Sequence, residues 1–252
     1  MTPKRNLEKK LKQFLFLLYL LIPATITFGQ ISQGGIPYAQ EKIVWDYPVK
    51  PEMKEWATFE TGEQMVKACQ IPLDILSTIG TKELVTTCLN YPLFNNYAAF
   101  NDEREGVNAT IRQFNGLQEL NQRTDGVQEL IKAYADYPVL SQIQKDATSE
   151  YYHLPYKLPF LELVLSDSIF LNQMNSEELE DLRKIAVNKY ADKLKNSEVY
   201  SLFNIKKTML LVAVIMNKQS KTGKQDVIDT FIKTYNNLDS NILTEMSKII
   251  AE

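Results

Sequence analysis

Side chains able to do chemistry are few in this 252-residue chain, and their spacing builds none of the common reactive centres. His153 is the only histidine, which excludes a histidine-rich zinc site or an H-E-x-x-H helix, since each needs at least two imidazoles. A Ser-His-Asp relay has to use His153, and no G-x-S-x-G turn presents a serine to it. Lys221-Thr222-Gly223 matches one box of the serine penicillin-binding enzymes, yet no Ser-x-x-Lys supplies the acylated serine. The same loop is no phosphate loop, because Lys218 stands where the leading glycine is required. Glu150, Glu162 and Asp167 are candidates for a paired-carboxylate hydrolase of glycans or peptides. With 31 acidic residues in the chain, however, some pairing is inevitable. No metal or cofactor is called for.

Two features bear on binding and on cross-linking of the core. The run Tyr151-Tyr152-His153-Leu154-Pro155-Tyr156 places Tyr151, Tyr152, His153 and Tyr156 in a connection between helices, where tyrosines offer area and a hydroxyl at low entropic cost. The same aromatics equally suit the packed junction of two helical halves. An imidazole here, titrating near 6.5 when unperturbed, also suits a response to acid. Cys69 and Cys88 are the only cysteines. In an oxidising compartment they allow one disulfide, closing a loop of about 20 residues and contributing roughly 3 kcal/mol. Alternatively they are two buried thiols acting as small hydrophobes.

The N-terminus states where such a protein works. Lys4, Arg5, Lys9, Lys10 and Lys12 precede an apolar run from Phe14 to Ile22, and Thr27 and Gly29 flank Phe28. That is an export signal over residues 1–29, cut before Gln30, and Pro23 ends the run well short of the about 20 residues a membrane span needs. No cysteine near the cut suggests a lipid anchor, so the expected location is periplasmic or secreted. Residues 1–29 hold five of the 28 basic and one of the 31 acidic residues, leaving 23 against 30, a net charge of −7. Such a balance disfavours nucleic acid, whose binding is carried by clustered Lys and Arg.

The elements that must position these residues are helices. Residues 30–57 carry Gly34-Gly35, Pro37, Pro48 and Pro51 without helical periodicity and predict an extended arm, anchored by Trp45 and Trp56. From 58 to 252 apolar residues recur at helical spacing, with a sub-boundary near 140–157. Thr61 with Gln64 and Asn175 with Glu178 read as capping boxes, Thr81 reads as a cap, and Pro159 falls near a helix start. Val127, Leu130, Ile131, Tyr134 and Ala135 form one stripe, and Leu179, Leu182, Ala186, Tyr190 and Leu194 another. Met209 to Met216 is apolar on every side, either a central helix or a buried strand, with its neighbours favouring helix. The fold class expected is all-α, an irregular array of about nine helices resembling stacked helix pairs.

A repeat supports the stacking. Glu83 to Leu93 aligns without gaps on Glu129 to Val139, and both copies run a helix into Tyr-Pro, where the residue before proline disfavours further helix. The offset of 46 positions falls in the range of about 40–47 residues of HEAT and armadillo units. No clear third copy follows residue 140.

Trp45-Asp46-Tyr47-Pro48-Val49-Lys50-Pro51 with Trp56, Cys69-Gln70-Ile71-Pro72, Cys88-Leu89-Asn90-Tyr91-Pro92-Leu93 and Phe114-Asn115-Gly116 resemble a group of exported bacterial proteins sharing this arm, the two cysteines and the Tyr-Pro helix end. The resemblance covers about residues 43–135 and implies an exported bacterial helical domain. The group has no known activity, so no catalytic residue transfers. The reading that results is a non-catalytic binder of a protein or peptide, using a groove between stacked helices. A carboxylate hydrolase and a carrier of a small apolar ligand, its cavity lined by Met209–Met216, are the alternatives.

Overall fold

The structure is a computed structural model that describes residues 45–140, 154–220, 223–237 and 239–252. The signal segment, residues 30–44 of the arm, Glu150, Tyr151, Tyr152 and His153 lie outside the described residues, as does most of the sub-boundary. Among the described residues the regular structure is entirely helical. The helices are α1 (Gly62–Ala68), α2 (Leu73–Thr78), α3 (Thr81–Leu89), α4 (Glu103–Gln113), α5 (Asn115–Gln122) and α6 (Gly126–Asp136), then α7 (Leu154–Ser166), α8 (Ser168–Leu171), α9 (Ser176–Lys195), α10 (Leu202–Gln219), α11 (Gln225–Lys233) and α12 (Ser240–Ala251). They exceed nine because α2 and α8 are too short to show a period, and because Phe114 at the start of Phe114-Asn115-Gly116 breaks one helical run into α4 and α5.

Two helix starts fall where the capping signals put them. Thr61 Oγ1 accepts from Gln64 N while Gln64 Oε1 accepts from Thr61 N, each at 3.3 Å, and Asn175 with Glu178 closes a second capping box before α9. Two expectations give way. Gly80, not Thr81, is the cap of α3, and the Thr81 hydroxyl instead donates to Asp125 at 2.9 Å. Pro159 lies inside α7; its missing N–H leaves the Pro155 carbonyl without its helical donor, in a helix held by burial rather than by propensity.

Met209 to Met216 is a helix, the middle of α10, which packs against α7, α9, α11 and α12. Each fully buried Leu, Ile, Val or Met there contributes about 1.5–3 kcal/mol, which makes α10 the axis of the second half. One apolar core runs through both halves, because α7 packs on α4 and α6 and α9 packs on α6. In the described end of the arm, Tyr47 is the deepest anchor: its hydroxyl donates to the Thr87 carbonyl at 3.0 Å and its ring meets Tyr91 and Phe114. Trp45 and Trp56 pack on the core only partly buried, and residues 54–58 form a 3₁₀ turn.

Polar side chains join α1–α3 to α4–α6 across a nearly constant separation. Asn115 accepts from Ile71 N and donates to Ile71 O, at separation 44, while Arg123 donates to the carbonyls of Leu76 and Ile79, at separations 47 and 44. In the aligned segments, Leu84, Cys88 and Tyr91 are buried, as are their counterparts Leu130, Tyr134 and Tyr137.

Candidate functional site

An open groove of about 720 Å³ lies between α1 and α4. Gln70 sets its width. Its amide donates to Val66 O at 2.7 Å and Gln113 O at 3.1 Å, and its oxygen accepts from Asn115 N at 3.0 Å, pinning the end of α1 to the break between α4 and α5. Val66, Leu93 and Tyr91 supply an apolar floor, while Asn96 and Gln113 stand exposed on the walls. Their amide groups make no hydrogen bond to another described side chain or carbonyl, and each presents one acceptor and two donor hydrogens.

Gly106 brings α4 hard against the 3₁₀ turn Phe94–Ala99, since a Cβ there would lie 2.5 Å from the Tyr97 carbonyl oxygen and 2.9 Å from the Phe100 ring. Phe100 is thereby seated on bare helix backbone with 45% of its surface exposed. It also borders a second, more polar cleft of about 560 Å³ reaching Asp167. There Asp102 caps α4 and binds Arg104 through both carboxylate oxygens, at 2.6 and 3.0 Å. The Arg104 hydrogen bonds hold the Asp102 carboxyl below the usual carboxylate range. Asn108 donates to Asp167, which also caps α8.

Among the sequence candidates, Tyr156 is exposed in the first turn of α7, far from being a lining residue of either groove. Cys69 and Cys88 are both free thiols and both buried. Burial pushes Cys69 up to about 11 and Cys88 well above the ordinary thiol range, so neither presents a thiolate near neutral pH.

Glu162 resembles a catalytic carboxylate most closely and is placed least like one. It is wholly buried and binds the equally buried Lys193 at 2.7 and 2.8 Å. Tyr134 donates to it at 3.0 Å and Thr208 at 2.8 Å, and Lys193 also donates to Thr208 at 2.9 Å. Four helices, α6, α7, α9 and α10, thus meet on one carboxylate that takes four donor contacts, three at Oε1 and one at Oε2. A group so enclosed fastens the core; it offers no face to a substrate. The sequence carries a signal for it: Lys193 lies on the apolar stripe of α9, one heptad after Ala186, and Glu162 interrupts the apolar run from Leu158 to Leu165 in α7. One turn before Lys193, Lys189 donates to the carbonyls of Ala135 and Tyr137 at the end of α6, and burial brings it down to about 8.

Among the described residues no three His, Cys, Asp or Glu side chains gather where a metal could be held, and no helix is long and apolar enough to cross a membrane. The α10 segment Met209–Met216 lines neither groove. No protein-family model, curated protein or solved structure matches the chain.

Proposed function

We propose that this is an exported, non-catalytic binding protein that takes an extended peptide segment in the groove between α1 and α4, with α1–α3 and α4–α6 as successive stacked units. The observation that carries the reading is the combination of two exposed amides, Asn96 and Gln113, which bond to no other described side chain or carbonyl, with the seated ring of Phe100 over an apolar floor. An amide matches the donor and acceptor of a peptide group, and an aromatic ring with two side-chain torsions supplies contact area at low entropic cost. Stacking is supported by the similar separations, 44 to 47, of the Asn115 and Arg123 bridges, and export by the basic and apolar pattern of residues 4–22.

The test fills the groove. Ala109 is half-buried on its wall, and Ala109→Arg places a long side chain across the opening without touching the core. Binding to short peptides on an array should vanish in this variant while circular dichroism and the melting temperature hold. Equal binding by the variant refutes the groove as the site. Export is tested by N-terminal sequencing of the protein from the envelope or medium, which should start at Gln30.

A further inference from the structure

We infer that the peptide taken by this groove is cationic as well as partly apolar, its apolar side chain lying against Phe100 and a Lys or Arg side chain entering the neighbouring cleft. This rests on the peptide-binding reading above and adds the class of partner. Phe100 and Ala109 line both openings, so the two form one trough crossing α4. Its lobes differ in chemistry. The first has the apolar floor and one charge of each sign, Glu63 and Lys67.

The second lobe holds three carboxylates, of Asp102, Glu105 and Asp167, against the guanidinium groups of Arg104 and Arg112. Asp102 and Arg104 neutralise each other, and Arg104 is turned away to the Ile232 carbonyl at 2.8 Å. What faces an incoming chain is therefore Glu105 and Asp167 against Arg112 alone. Asp167 keeps accepting capacity beyond the single bonds it takes from Asn108 and Ile169. The chain repeats that sign, with −3 over its full length and −7 beyond residue 29. Complementary charge both steers such a partner and fixes its register, and an apolar neighbour to the cationic residue is required because Phe100 adjoins the acidic lobe.

An array of random short peptides probed with the labelled full chain should enrich sequences with Lys or Arg within a few residues of an aromatic or large aliphatic side chain. The strongest binder and its Lys/Arg→Glu counterpart are then titrated by fluorescence anisotropy against the wild type and a Glu105→Gln, Asp167→Asn double variant, asparagine being retained as a cap for α8. The expected result is weak or no binding of the acidic counterpart and a loss of roughly fivefold for the cationic peptide in the double variant, the size of two exposed charge contacts. Enrichment of acidic or uncharged peptides, or an unchanged affinity in the double variant, overturns the cationic partner and leaves the groove reading standing. An array on which nothing binds overturns both.

Discussion

Glu162→Gln isolates the energetics of the buried centre. The substitution keeps the side-chain shape and leaves Tyr134 and Thr208 a partner, but it strands the Lys193 ammonium at zero exposure without a counter-charge. Removing one member of a buried pair costs about 3–5 kcal/mol. The upper bound is set by the alternative of burying Lys193 neutral, which at pH 7 costs about 4.6 kcal/mol, from an unfolded lysine near 10.4 at 1.36 kcal/mol per unit. Burial already holds Lys193 below the ordinary lysine range, and losing Glu162 lowers it further. Between that lowered value and about 10.4 the unfolded chain binds more protons than the folded one, so the stability of the variant rises with pH. Where Lys193 is neutral in the folded variant and charged in the unfolded chain, the deficit should shrink by about 1.4 kcal/mol per pH unit. Urea unfolding followed by circular dichroism at pH 7, 8 and 9 measures this, with Lys193→Met alone and the double variant Glu162→Gln, Lys193→Met added to complete the cycle. The double variant removes the stranded charge and should recover to within about 1–2 kcal/mol of the wild type. A single variant losing less than about 1 kcal/mol, the worth of a surface pair, or a deficit that does not change with pH, refutes the account of a dry and obligatory ion pair.

Three further outcomes follow from the same structure. Cys69 and Cys88 should resist a thiol reagent in the folded protein and both react on denaturation without reductant; two thiols that appear only after reduction would mean a disulfide. Ser220, the one described non-glycine residue with positive φ, at 50°, ends α10 in the left-handed region, so Ser220→Gly should raise the unfolding free energy by about 1 kcal/mol, and a loss would contradict this. Tyr47→Phe removes the bond to the Thr87 carbonyl and should cost about 1 kcal/mol, whereas Tyr47→Ala also empties a core site and should cost about 3–5 kcal/mol; limited proteolysis should then cut near residue 50 first. An unchanged cleavage pattern would mean that Tyr47 does not hold the arm.

The amino-acid order alone was enough for the all-helical class, the capping boxes at Thr61 and Asn175 and the paired Tyr-Pro endings, because each depends on residues three or four apart and on which flank of a coil is apolar; the short α2 and α8 and the break at Phe114 leave no such period to read. It also told α10 from its polar neighbours, though not why it is buried all round. Contacts set by packing decided the rest. Lys193 and Glu162 lie 31 residues apart and meet only where α7 and α9 close on α10. Cys69 and Cys88, alike in sequence to a bridge or to two thiols, stand as thiols in the core. The trough could not be read in advance, since Phe100 becomes an exposed platform only when Gly106 lets α4 settle against the backbone at Tyr97. Periodicity reports which side of a helix avoids water; which helices then share that side, and what gap they leave between them, is settled by side-chain volume and by polar groups that must find partners once buried.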